Sequence, residues 1–254
     1  MSSDKRQRLL GFHAVSAALE RAPGQVHSLI VAEGARNPRL GPLIEAAENA
    51  GVEVQRRPRA DLDKLSQGER HQDVIADFTP HNLHGEKALE NLLAAAKSPP
   101  LVLVLDGVQD PHNLGACLRS AEAAGVDFVV MPKDKSAPLS ATARRAAAGA
   151  AERLPILIAT NLARVLRRLK EAGIWLAGAA EAAERSLYET DLSGPLGLVM
   201  GGEGEGMRRL TQEHCDYLVR IPMRGDVESL NVSVATAVCL FEILRQNLAV
   251  QRTS

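Results

Sequence analysis

The stretch that most constrains this chain is Leu101–Leu105, LVLVL, an unbroken apolar run held between Pro100 and Asp106. A strand exposed on one face alternates apolar and polar residues, whereas five consecutive aliphatic residues require cover on both faces, as strands of a parallel sheet have. The sequence beyond repeats the theme. In DGVQDPHNLGACLRSAEAAG, Leu114, Leu118 and Ala121 line one helical face, Asn113 stands where an N-cap belongs and Gly125 where a C-terminal glycine belongs. Asp127–Met131 reads as a strand, Ser140–Arg153 as an alanine-rich helix, Leu154–Ala159 as a strand, Leu162–Ala172 as a helix and Ile174–Ala177 as a strand. Tyr217–Ile221 adds a strand and Ser233–Gln246 a closing helix. Such alternation predicts an α/β fold, a parallel sheet with helices on both faces.

Ahead of this unit lies a smaller α/β pattern. Gly11–Arg21 and Leu40–Ala50 read as helices, and Val26–Ala32, Val52–Gln55 and Val74–Phe78 as strands. A chain of 254 residues has room for both units. We divide it into residues 1–79, a linker at 80–98 that contains Pro80, His81, Asn82 and Gly85 and a short helix, and a second domain at 99–254. Arg36, Arg39, Arg56, Arg57, Arg59 and Arg70 cluster between the first domain's elements and suit phosphate contacts. Aromatic residues are only 3%, which argues against a stacking platform of the RNA-recognition-motif kind, and a net charge of -1 argues against bulk polyanion binding.

Cys117, Cys215 and Cys239 show no C-x-x-C spacing and read as free thiols in a reducing cytoplasm. MSSDKRQRLLG is not followed by an apolar run, and no stretch is expected to approach the length of a membrane span. His112, His214 and Cys215 lack metal-ligand spacing, so no metal is expected.

Three polar loops follow strands of the second domain: 106–119, 201–205 and 223–231. In an open parallel sheet, loops at the carboxyl ends of strands converge on one crevice. The middle loop belongs to LGLVMGGEGEGM, where Glu203 and Glu205 would repel a pyrophosphate, so the ligand there is not strongly anionic. Each cluster also has a plain structural reading. Asn113 can serve only as an N-cap, Arg119 can pair with Glu122, Ser229 or Asn231 can cap the last helix, and the acids can favour a first-turn dipole. Gly202, Gly204 and Gly206 also match a dinucleotide fingerprint, although no ribose-binding acid follows about 20 residues later.

DPHNLGACLRSAEAAGV, LVMGGEGEGM with YLVRIPM, and SLNVSVATAVCLFE resemble the three ordered motifs of the SpoU branch of the SPOUT RNA methyltransferases. Their wording, with the opening GFHAVSAALE, is most similar to branch members that methylate the 2′-oxygen of a guanosine in the peptidyl-transferase P loop of 23S ribosomal RNA. The resemblance is specific over 101–245 and looser over the first domain. It implies a catalytic domain with a deep C-terminal trefoil knot, a ribosomal-protein-like RNA-binding first domain, and a homodimer packed through catalytic domains. S-adenosylmethionine would be held by backbone groups near Gly201, Ile221 and Leu230, and catalysis would rest on Asn113, Arg119, Glu203, Ser229 and Asn231. The partner would be 23S ribosomal RNA or a ribosome precursor. The cofactor's sulfonium cation suits an acidic glycine turn. Because an arginine stays protonated in proteins, Arg119 reads as fixed charge, and no conventional base is evident. A catalytically silent RNA-binding or ribosome-assembly protein is the competing reading, as is methylation of another rRNA or tRNA nucleotide.

Overall fold

The computed structural model describes residues 7–21, 23–79, 83–204, 206–227 and 229–253. Glu205, Glu228 and the expected linker residues Pro80, His81 and Asn82 lie outside them. The chain forms two sheets. The first contains β1 (Gln7–Leu10), β2 (Val26–Ala32), β3 (Glu53–Arg57) and β4 (Val74–Phe78) in the order β1-β4-β2-β3. Helices α1 (Phe12–Arg21) and α2 (Leu40–Asn49) put Val15, Ala18, Leu43 and Ala47 against Leu29 and Val31 on one face. On the other face, α3 (Arg59–Leu65) puts Leu62 against Ile30 and Ile75. Neither β1 nor α3 was expected, because a four-residue strand and a charged two-turn helix carry no readable period.

The second sheet has eight strands: β5 (Leu83–Gly85), β6 (Leu101–Asp106), β7 (Phe128–Pro132), β8 (Ile156–Ala159), β9 (Trp175–Ala179), β10 (Arg185–Ser186), β11 (Leu196–Gly201) and β12 (Tyr217–Arg220). Their order is β10-β12-β9-β11-β6-β7-β8-β5, and every pairing is parallel. The run LVLVL is covered on both faces as expected. Leu103 and Leu105 pack under α5 (Pro111–Ala123), α6 (Ala141–Ala147) and α10 (Val232–Thr253). Val102 and Val104 pack under α4 (Leu89–Ala95) and α8 (Leu162–Glu171). Strand order reverses between β6 and β11, so the loops that leave these two strands open on one crevice.

Three expectations need correction. The stretch assigned as linker is largely built into the second domain: Leu83–Gly85 pairs with Ile156–Ile158, and Leu89, in the short helix expected there, is fully buried. Glu86 fastens it, accepting from Thr160 Oγ1 at 2.5 Å, Asn161 N at 2.7 Å and Arg164 Nε at 2.9 Å. The helix expected over Ser140–Arg153 is broken into α6 and α7 (Ala150–Arg153), where Ala148 and Gly149 have φ of 50° and 89°. A Cβ on Gly149 would stand 2.9 Å from that of Ala17, so the chain turns where α1 approaches. Finally, Val232–Val250 of α10 meets the length and mean hydropathy of a membrane span. Its Glu242 and Arg245 pair with each other, and Cys239, Leu240 and Ile243 pack in the core beside α5, so packing accounts for one face of the helix.

The two sheets' units meet along α6 and α7. Arg144, 1% exposed, donates to Glu152 Oε1 at 2.7 Å and lies 5.7 Å from the Phe78 ring centroid. Burial pushes the Glu152 carboxyl up, and Arg144 opposes this. Glu69 Oε2 accepts from Thr142 Oγ1 at 3.4 Å and Arg145 Nη1 at 3.2 Å.

Candidate active site

The loop after β6 begins at Asp106, whose side chain is fully buried. A buried carboxylate must be paired, and Asp106 accepts from Arg208 N at 3.0 Å and Arg208 Nε at 2.7 Å. Its backbone oxygen accepts from Gly202 N at 3.0 Å. Asp106 thus ties the loop after β6 to the glycine turn after β11. Close approach there requires glycine. A Cβ on Gly202 would stand 2.1 Å from Gly107 O, and one on Gly201 would stand 2.1 Å from the Gly206 carbonyl carbon. Gly202 bridges back to Gly206, and α9 (Arg209–His214) starts only later. The turn therefore opens no helix N-terminus of the kind a dinucleotide fingerprint needs.

Asn113 is not the N-cap of α5. Asp110 holds that position and accepts from His112 N at 2.8 Å, with Pro111 in the first turn where its missing N–H costs nothing. The Asn113 side chain is thereby free to reach across the crevice. Its Nδ2 donates to Glu203 Oε1 at 2.6 Å, and its Oδ1 accepts from Asn231 Nδ2 at 3.0 Å. Asn231 Oδ1 in turn accepts from Ser233 N at 2.9 Å and Ser233 Oγ at 2.7 Å. Asn231 therefore caps α10 and joins the site at once. The chain of bonds has one sense: a backbone N–H can only donate and a carboxylate only accept, so both amides are oriented without ambiguity. Burial opposes charge on Glu203, but Asn113 and the backbone N–H groups of Gln109, Glu203 and Asp110 outweigh it and hold the carboxyl below its usual range.

Asn113, Glu203 and Asn231 thus come together from three distant segments, whereas Arg119 and Ser229 are not drawn into their bonds. Arg119 is exposed on α5, about 9 Å along the axis from Asn113. The pairing with Glu122 that would have explained it is absent, because Glu122 accepts from Arg153 Nε at 2.6 Å. Ser229 is exposed two residues before Asn231. Gly201 ends β11, Ile221 follows β12, and these strands flank β9, while half-buried Leu230 precedes Asn231. Asp106 could have been read as the first polar residue after an apolar strand; Arg208 and Ser233 carried no such signal. A cavity of about 530 Å³ bordered by Glu184, Asp191 and Tyr217 shares no residue with this cluster.

Residues 100–241 match the family described as SpoU rRNA Methylase, and residues 8–84 match RNA 2'-O ribose methyltransferase substrate binding. The chain is 54% identical to the 23S rRNA (guanosine-2'-O-)-methyltransferase RlmB of Pseudomonas aeruginosa, over 94% of this chain and 96% of the relative. It is 53% identical to the enzyme of that name from Escherichia coli K12, over 94% and 98%. Among solved structures, the AdoMet-bound rRNA methyltransferase of Sinorhizobium meliloti superposes with a TM-score of 0.78 at 25% identity, covering 94% of this chain and 87% of that one. With its parallel sheet, its three converging loops and a family match across more than half its length, this chain belongs to the SpoU family of rRNA methylases.

Proposed function

We propose that the protein transfers a methyl group from S-adenosylmethionine to the ribose 2′-oxygen of a guanosine in 23S ribosomal RNA, in the peptidyl-transferase P loop. The observation that carries the site assignment is the oriented chain Ser233–Asn231–Asn113–Glu203, in which Asn113 meets residues 90 and 118 positions further along the chain. When bound, the cofactor supplies an electrophilic methyl group on a sulfonium. The residues suit it: a glycine turn drawn tight against the loop after β6, half-buried Ile221 and Leu230, and an ionised Glu203 in place of the basic groups an anion would need.

The ribose hydroxyl is a poor nucleophile, so the protein's task is alignment, which can contribute about 7–11 kcal/mol in well-oriented systems. Asn113 and Asn231 each spend one side-chain N–H on the relay and have a second to offer a ribose or phosphate oxygen. Glu203 fixes them. Arg119, exposed and unpaired with Glu122, clamps the target's phosphate and stabilises the developing alkoxide, while the hydroxyl proton leaves to phosphate or water. Ser229, exposed beside Asn231, adds a donor to the same nucleotide.

Residues 8–84 are the RNA-binding module in this reading, supported by the substrate-binding match. Of the six arginines that cluster between its elements, Arg39 lies over the Phe12 ring, Arg57 donates to Gln55 and Arg59 pairs with Asp73. We read the C-terminal segment as threading a trefoil knot around the crevice, consistent with Gly202 pressed onto Gly107 and α10 packed on α5 and β11. We read α10 also as the seam of a homodimer, since Val234, Phe241 and Leu248 are each nearly half exposed at seven-residue spacing. A ribosome-directed enzyme with free thiols fits the cytoplasm. Mapping 2′-O-methyls in 23S ribosomal RNA from cells lacking this protein tests the assignment. One guanosine methyl should vanish and return with the wild-type gene but not with Asn113→Ala; an unchanged map would favour a silent assembly protein.

A further inference from the structure

The turn between α3 and β4 is strained and firmly held. Gln67, Gln72 and Asp73 take φ of 55°, 50° and 65°, a left-handed conformation that non-glycine residues adopt at a cost. Gln72 Oε1 accepts from Phe12 N at 3.0 Å. His71 is 3% exposed; its Nδ1 accepts from Asp73 N at 3.1 Å, so the proton sits on Nε2, which faces Asp63 Oδ1 at 2.9 Å. Arg59 Nη1 pairs with Asp73 at 3.0 Å. Asn37 and Arg70 join Arg59, Asp63, Gln72 and Asp73 around an open pocket of about 420 Å³, within the usual range of about 300–1,000 Å³ for small-ligand sites.

The lining does not favour a phosphate. Asp63, Glu69 and Asp73 stand against Arg59 and Arg70, so carboxylates outnumber guanidiniums. What such a wall suits is an uncharged planar group that donates along one edge and accepts along another. Guanine does both: N1–H and N2–H2 match a carboxylate such as Asp63, whose side chain is 60% exposed, and O6 and N7 match a guanidinium such as exposed Arg70. We propose that this cavity is a nucleobase subsite that takes one unpaired guanine of the RNA, distinct from the methylated nucleotide. The proposal rests on the RNA methyltransferase reading above and deepens it.

The subsite is coupled to the catalytic helix. Glu69 accepts from Thr142 and Arg145 of α6, and α6 lies so close to α5 that a Cβ on Gly115 would stand 2.3 Å from Ala143 O. Asn113 is two residues away on α5. A guanine held in the turn would therefore fix which ribose arrives at Asn113, acting as a register for the substrate.

The test uses the full-length protein and an unmodified 23S ribosomal RNA fragment containing the target loop, with guanines replaced one at a time by inosine, which lacks the N2 amino group. Binding and steady-state methylation are measured for each RNA. With wild type, one position away from the target should weaken binding and raise KM about ten-fold at unchanged kcat, the scale of a lost base contact. Asp63→Asn should weaken the all-guanine RNA by a similar factor and become indifferent to inosine at that position. Arg70→Ala, at an exposed residue that leaves the His71 contacts intact, should raise KM about ten-fold while kcat and S-adenosylmethionine affinity hold. The proposal is overturned if no position outside the target separates wild type from Asp63→Asn. It is also overturned if both variants weaken all RNAs uniformly, as phosphate contacts would, or if they affect ribosomal particles but not naked RNA, as a protein partner would. Failure of the wild-type protein to transfer methyl would instead count against the enzymatic reading, and the binding scan still decides the subsite.

Discussion

Gly115→Ala is a one-carbon change that should disable the enzyme without touching any polar residue. The added methyl would stand 2.3 Å from Ala143 O, 2.5 Å from Ala146 Cβ and 2.9 Å from Ala147 N. Non-bonded contact requires about 3.5 Å, so α5 and α6 must part by about 1 Å. Overpacking costs about 1–3 kcal/mol, and the upper end applies because two of the three atoms belong to backbone. Alanine's better helix propensity returns about 0.8–1.0 kcal/mol. The remaining loss of about 2 kcal/mol should lower Tm by about 4–8 °C for a domain of this size. The activity loss should be larger. Asn113 is on the displaced segment, and a misplacement of about 1 Å can cost on the order of 10²-fold in rate. Gly41→Ala is the control: it is also helical, with nothing within 4 Å of the new methyl, and should leave Tm level or slightly raised. Thermal melts and single-turnover methylation of both variants decide the matter. Unchanged Tm and rate in Gly115→Ala, or equal losses in both variants, would refute the close-packing argument.

Arg119→Ala should lower kcat by on the order of 10²–10³ with cofactor affinity unchanged, and its combination with Asn113→Ala should cost less than the sum of the two. Additive losses, or collapse of cofactor binding, would make Arg119 structural. Glu203→Gln replaces an acceptor-only partner by an amide that can turn either way; kcat should fall about 10–100-fold, the scale of a charged hydrogen bond, and retention of full rate would show that the relay's orientation is irrelevant. Glu86 is the pH probe: burial opposes its charge, yet bonds from Thr160, Asn161 and Arg164 bring its pKa down to about 2. A depressed carboxyl stabilises the fold above its unfolded value and loses that contribution as pH falls through the folded one. The stability gap between wild type and Glu86→Gln should therefore be about 1 kcal/mol near neutrality and close between about pH 4.5 and 2. A gap that widens on acidification would contradict it. Prolonged chelation should leave methyl transfer intact, because among the described residues no group of three His, Cys, Asp or Glu could hold an ion; loss restored by a divalent ion, with RNA folding controlled, would count against this.

What the sequence revealed follows the length and period of each element. LVLVL announced β6, and Leu114, Leu118 and Ala121 announced the buried face of α5, because long apolar patterns are set by the core they enter. Leu83–Gly85 is too short to show a period, so a sheet strand looked like linker. The alanine run 140–153 hid its break at Ala148 because the cause, the approach of α1, lies elsewhere in the chain. At the site, the polar loops at strand ends located Asn113, Glu203 and Asn231, but not their order of bonding. Which residue capped α5 was decided by Pro111, and that choice is what released Asn113 to meet Glu203. Arg208 and Ser233 are legible only in three dimensions, since their partners lie on turns that meet across the crevice.

In this mechanism the methyl acceptor is a ribose oxygen aligned by the Asn113–Glu203–Asn231 cluster. The most direct measurement places a single 2′-deoxyguanosine at the target position of a 23S ribosomal RNA fragment and follows transfer from labelled S-adenosylmethionine alongside binding. Phosphate contacts dominate RNA affinity, so binding should stay near normal while methyl transfer is lost. Methylation of the deoxy substrate would contradict this mechanism.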